Sequence, residues 1–185
     1  MAMGCSTASS PPIQLHAFVE APAAPKHAPR SIPPATSQPT DPNFDWKGEI
    51  GDILTSPTGF NATLNIPDQV YTVTVPRPDI LLQIEGMSVP TAAGIASTFH
   101  FYRCTCGKMS LLGEFIVIDY EANDVIDALR AGAIIRITAV SPIAIGDQPR
   151  LLSVRFHGEG EASPLAKLVK EAMRWTGEQR MKPAK

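Results

Sequence analysis

Long apolar runs are missing from this chain of 185 residues; the longest, Ala131 to Ile135 and Phe115 to Ile118, are short. A membrane-spanning helix takes about 18 or more apolar residues in succession, so none is expected. Runs of lysine or arginine are missing too, and the formal net charge is -2. Nucleic-acid binding leaves a basic stripe in a sequence, and its absence argues against nucleic acid as a partner. There is no glycine-rich phosphate loop, no Gly-x-Ser-x-Gly elbow and no cysteine–histidine arrangement at motif spacing. Charged residues are sparse at 18%, while the hydrophobic share of 44% is ordinary for a globular protein.

Proline is present in quantity and unevenly spread. Nine of the 18 prolines fall between Pro11 and Pro42, in a stretch rich in Ala, Ser and Thr. Its only formal charges are Glu20, Lys26, Arg30 and Asp41. Proline fixes φ and removes a backbone donor, so this stretch cannot sustain helix or sheet. Residues 1–43 therefore read as an extended, polyproline-like tail. A disordered leader is one account of it. The other is an arm laid on a protein partner, for which the apolar patch Ile13, Leu15, Phe18 and Val19 is the reason.

Three cysteines are present. Cys5 follows Ala2-Met3-Gly4 and precedes a polar Ser/Thr-rich run, which resembles the end of a bacterial lipoprotein signal with Cys5 as the lipidated residue. Only four residues stand ahead of Cys5. The apolar segment of such a signal would lie upstream or have been removed, or else the match is fortuitous. Cys104-Thr105-Cys106 places two thiols on one side of a strand, where a disulfide across one residue is strained. With His100 nearby they are weak candidate metal ligands; the plainer reading is two small residues at the end of a hairpin.

Periodicity places the folded part at residues 44–178, with a loose end at 179–185. Asp45 can cap a short helix whose inner face is Trp46, Ile50, Ile53 and Leu54, ended by Ser56-Pro57-Thr58-Gly59. Gln69 to Val75 and Ile80 to Glu85 alternate as strands around the rigid Pro76-Arg77-Pro78-Asp79. Ala96 to Cys104 and Ser110 to Ile118 form a hairpin. A helix follows from Glu121 to Ala131, with Val125, Ile126 and Leu129 inward and Gly132 just past its end. Ala133 to Val140 reads as a strand of near-continuous apolar character. Leu151 to His157 is another, and Ser163 to Trp175 a final helix that buries Leu165, Leu168, Val169 and Ala172 before Gly177. The fold class is α+β: a mainly antiparallel sheet with helices packed on one face, a β-hairpin followed by β-α-β-β-α.

Several segments, in order, resemble a bacterial family typified by the lipoproteins LppY and LpqO. They are Val70-Tyr71 leading to Pro76-Arg77-Pro78-Asp79, Gly86 with Val89-Pro90, Gly113-Glu114-Phe115, Glu121-Ala122-Asn123-Asp124-Val125-Ile126 and Leu165-Ala166-Lys167. The resemblance runs from Asp45 to Gly177. It implies this fold and an exported setting, periplasmic or cell-surface, with membrane attachment only through a lipid at Cys5. Members commonly carry a His-x-His pair where this chain has Ser141-Pro142-Ile143, and further histidines where it has Arg155 and Glu159. Three or four converging nitrogen or oxygen ligands would suit a metal. Ser141 is a poor ligand, Ile143 is none, and Arg155 repels a cation. His157 keeps the same side of its strand as the lost ligands.

Two functional expectations follow. The first is a non-catalytic accessory subunit that needs no cofactor and docks, through its domain and N-terminal arm, on protein partners in a larger, membrane-associated assembly. The second is a small-ligand or metal-dependent hydrolytic domain with a degenerate site. Its candidate residues are Arg77, Asp79, Arg150 and His157. Guanidinium groups pair well with carboxylate or phosphate, and internal ion pairing is the plainer account of Arg77, Asp79 and Arg150. A strand-end position is the plainer account of His157. Glu114, Asp119 and Glu121 would gather at a strand-to-helix junction, where carboxylates favour a helix start. Asp147 reads as a turn residue.

Overall fold

Alternation of large apolar and polar side chains from residue 96 to residue 118 sets the frame of the molecule. The computed structural model describes residues 43–54, 61–65, 69–103, 108–144 and 146–177, all in one unit, Thr36–Lys185. The expected tail, with Cys5, Ile13, Leu15, Phe18 and Val19, lies outside the described residues. So do Cys104, Cys106, the Ser56-Pro57-Thr58-Gly59 break and the loose C-terminal end.

The first described element is a π-helical turn, Lys47–Gly51, that runs into one α-helical turn, α1 (Asp52–Leu54). Asp45 does cap it: its Oδ1 accepts from Gly48 N at 2.9 Å. The expected regular helix is thus a wide turn, yet it still buries Trp46, Ile50 and Leu54. Next come β1 (Asn61–Asn65), β2 (Val70–Pro76), β3 (Leu82–Ile84), β4 (Met87–Val89), β5 (Ala96–Arg103) and β6 (Met109–Ile118). A 3-10 turn, Asp119–Glu121, leads to α2 (Ala122–Arg130). It is followed by β7 (Ile135–Pro142), β8 (Asp147–Gln148), β9 (Leu151–Gly160) and α3 (Ala162–Met173). Among the described residues no helix is long and apolar enough to cross a membrane.

Six strands form one antiparallel sheet in the order β1-β2-β5-β6-β9-β7. A side chain on every second residue faces inward: Tyr71 and Val73, Phe99 and Phe101, Leu111, Phe115 and Val117, Val154 and Phe156. Against this face pack α2, through Val125 and Leu129, and α3, through Leu165, Ala166, Val169 and Ala172. The fold is therefore α+β with helices on one face, as the periodicity indicates. Phe99, Phe115 and Phe156 form its centre, with ring centroids 4.9 to 6.2 Å apart. Each such ring stabilises the fold by about 1.5–3 kcal/mol through burial alone. Gly113 makes room for them: a Cβ there would stand 2.1 Å from Phe156 Cζ.

Of a second sheet, β4-β3-β8, only β3 falls in a stretch that the sequence marks as a strand, Ile80 to Glu85. Ile80, Leu82 and Ile95 pack with Ile116 and Leu151 in a second small core. Ile116 and Leu151 point away from the helices, so this layer covers one end of the opposite sheet face. Among the described residues no element covers the other end.

Four local expectations need correction. The strands β1, β4 and β8 are too short to show a periodic pattern, and they exist because a neighbour supplies hydrogen bonds. Asp147 sits in β8 rather than in a turn and accepts from Leu151 N at 2.7 Å. The apolar strand expected at 133–140 spans Ile135–Pro142 and forms a sheet edge, so most of its residues are exposed. Past α2 it is Ala133, at φ 56°, that takes the left-handed conformation. Gly132 is needed for space instead, since a Cβ there would meet Leu168 Cδ1 at 2.4 Å.

Candidate functional site

The rigid Pro76-Arg77-Pro78-Asp79 segment carries Arg77 into the interior, where it is 4% exposed. A buried guanidinium needs partners for its donors and its charge, and it has them. Nε and Nη2 donate to Asp79 Oδ1 and Oδ2 at 2.9 and 2.8 Å. Nη1 and Nη2 each donate to Glu121 at 3.1 Å, and Nη1 donates to the Ile116 carbonyl at 2.8 Å. Glu121, 1% exposed, also accepts from Ile118 N at 2.9 Å and Gly177 N at 2.8 Å. Burial works against the Arg77 charge, but the hydrogen bonds from Asp79 and Glu121 carry its pKa above the ordinary arginine value. Burial likewise pushes the Asp79 carboxyl up, and the Arg77 hydrogen bonds and charge outweigh it and hold the carboxyl below its usual range.

Arg77 and Asp79 thus form, with Glu121, an internal clamp that ties the β2–β3 connection to the start of α2 and the end of α3. Arg150 is exposed, and its carbonyl accepts from Asp119 N at 3.1 Å. His157 lies six residues further along β9 than Leu151, about 20 Å away at the strand rise. The four candidate ligand residues therefore do not converge. Sequence reasoning paired Arg77 with Asp79 but missed Glu121 as the second partner, because 44 residues separate the two. The available signal was a carboxylate at the start of an amphipathic helix, just ahead of its buried Ala122 and Val125.

The open half of the outer sheet face gathers a second polar set. Its strand register alternates Thr72 with His100, Thr98 with Glu114, His100 with Leu112, Glu114 with Arg155, and Leu112 with His157. The His100 ring is held by Thr72, Nδ1 to Oγ1 at 2.9 Å. Glu114 is at mid-strand, not at the strand-to-helix junction expected for it. Its Oε1 accepts from Arg155 Nε at 3.1 Å and from the Ser153 hydroxyl. Thr98, His100, Leu112, Glu114, Thr138 and Arg155 line a shallow depression of about 200 Å³.

Ser141 and Arg155, two of the positions where the resemblance leads one to expect histidine, fall on this same face. Ser141 stands opposite Ser153 and Ala139 opposite Arg155, with a bulge between Ile137 and Ala139 that turns the edge strand. Among the described residues no group of three or more His, Cys, Asp or Glu side chains is placed to hold a metal ion.

Residues 58–175 match the model of a family described as Domain of Unknown Function (DUF1259). No curated protein matches the chain, and no solved structure does.

Proposed function

The chain belongs to that family, and on this premise we propose that it is a non-catalytic accessory protein of the exported LppY/LpqO lipoprotein type. In this reading it docks on protein partners in a larger, membrane-associated assembly, with its N-terminal segment as an arm or tether. The observation that carries the reading is the state of the open sheet face at the slots without histidine. Arg155 brings a fixed cation there and is held by Glu114, which also takes the Ser153 hydroxyl. Along the edge strand Val140, opposite the inward Val154 and so on the other face, is 48% exposed, and Ile143 just past the strand is 42% exposed. A cation repels a metal ion, and exposed apolar residues on a sheet edge suit contact with another chain.

The experiment is native mass spectrometry and cross-linking of the full chain recovered from its own cells, alongside a variant lacking residues 1–43. The expected result is a species well above the 19.9 kDa of the chain that is lost on deletion. A free monomer in both cases sinks the docking role. Membrane fractionation of Cys5→Ser against the parent tests the lipid anchor separately.

A second reading, a small-ligand domain with a degenerate site, draws on the depression around His100, Glu114 and Arg155. It would be favoured over docking if His100→Ala abolished ligand binding without changing partner capture.

A further inference from the structure

At the open end of the outer sheet face, Lys108, Arg136, His157 and Glu159 line a depression of about 340 Å³, walled by Ala133 and Ile134. We propose that this depression binds a small molecule carrying a phosphate monoester, an inference that goes beyond the docking role and does not depend on it.

The strand register assembles the site. Arg136 and His157 are direct partners across β7 and β9, so their side chains rise from the same face with Cβ atoms about 4.5–5.5 Å apart. Glu159 is two residues along β9 on that face, and Ser110 stands opposite it. The start of β6, with Lys108 just ahead of it, therefore closes the third side. Across the far rim the chain leaves α2 through Ala133, which keeps its left-handed backbone with a hydrogen bond from its N–H to the Arg130 carbonyl at 3.0 Å. Non-glycine residues hold such a conformation only where the surroundings enforce it, and here it forms the lip of the depression.

Charge selects the ligand. Glu159 is the only carboxylate among the lining residues, and its Oε1 lies 3.8 Å from His157 Nε2. Neither Arg136 nor Lys108 forms an ion pair with another described residue. Two fixed cations thus face one small volume in a chain whose net charge is -2. With Glu159 set against Lys108 and Arg136, the lining keeps one positive charge in excess, which favours an anion, and a phosphate monoester has the oxygens to engage both cations at once. The guanidinium fork matches two phosphate oxygens, and the lysine adds a point charge. The His157 ring offers a further nitrogen for hydrogen bonding, and Ile134 with Ala133 offers an apolar wall to the carbon part of the ligand. The volume is that of a small-metabolite pocket.

The test is a heteronuclear NMR titration of the full chain with phenyl phosphate and with inorganic phosphate, ionic strength held constant with sodium chloride. The expected result is saturable shifts of the Lys108, Arg136, His157 and Glu159 amides. Arg136→Gln and Lys108→Gln should each weaken binding, the arginine variant by about tenfold. Arg174→Gln, at an exposed cation on α3 paired with Glu171, should leave it unchanged. Both Arg136 and Lys108 are at exposed positions, and an unchanged melting curve establishes that the variants fold. Absence of saturable shifts, or equal effects of Arg136→Gln and Arg174→Gln, would overturn the proposal. So would sulfate titrating the same resonances with the same affinity. Partner capture is a separate readout, so failure of one proposal leaves the other standing.

Discussion

Glu121→Gln is the sharpest probe of the internal clamp. The substitution keeps the shape of the side chain and removes its charge. In the parent, Oε1 accepts from Arg77 Nη2 and Gly177 N, and Oε2 accepts from Arg77 Nη1 and Ile118 N. A glutamine has one oxygen and one NH2 group. Whichever way the amide turns, two donors face its NH2 group and lose their acceptor. A buried donor left without a partner costs about 1–3 kcal/mol, and removal of one member of a buried ion pair costs roughly 3–5 kcal/mol. Asp79 still answers Arg77 through two hydrogen bonds, which places the loss at the lower end, about 3 kcal/mol. Urea unfolding reads it directly: the midpoint should fall while the slope stays as in the parent. Adding Arg77→Met removes the guanidinium that the new amide no longer neutralises from its side, so the double variant should be less destabilised than the sum of the singles by about 1 kcal/mol or more. A single-variant loss below about 1 kcal/mol, or strict additivity, would refute the reasoning.

Acid should also weaken the same clamp, through Asp79. The folded Asp79 carboxyl titrates below its ordinary value of 3.8. Its contribution to stability is therefore complete above that value and is lost as pH falls through the lower folded one. Thermal melts across the acid range should show a steep decline in the parent and a flatter one in Asp79→Asn; parallel curves would contradict this. In the aromatic core, Gly113→Ala should destabilise by about 1–3 kcal/mol through overpacking against Phe156. Phe156→Leu should recover part of that loss in the double variant, and a neutral Gly113→Ala in urea unfolding would show that the ring moves aside freely.

How much of this architecture was legible before any coordinates depended on where each element finds its partner. β5, β6, β9, α2 and α3 each bury one face along most of their length, so Phe99 and Phe101, or Leu165 and Val169, announce the element by spacing alone. β1, β4 and β8 carry no such pattern, being defined by their neighbours' hydrogen bonds. The apolar run of β7 suggested a buried strand, but its place at the sheet edge leaves Val140 exposed. The helix-ending glycine was in the right neighbourhood for the wrong reason. The chain keeps Gly132 clear of Leu168 and sets Ala133 in the left-handed conformation.

Of the candidate site, chemistry was visible and geometry was not. Arg77 beside Asp79, and His157 on the same strand side as Arg155, could be named from residue order. That Arg77 is closed inside by Glu121, that Glu114 reaches Arg155 and Ser153, and that Lys108 and Arg136 flank His157 could not. Local periodicity is set by the strand and helix repeats themselves, so the sequence alone determined the class of fold and the inward faces of its main elements. Strand order and register are set by pairings between residues tens of positions apart. Only the tertiary structure therefore decided which charges are buried against each other and which face solvent together.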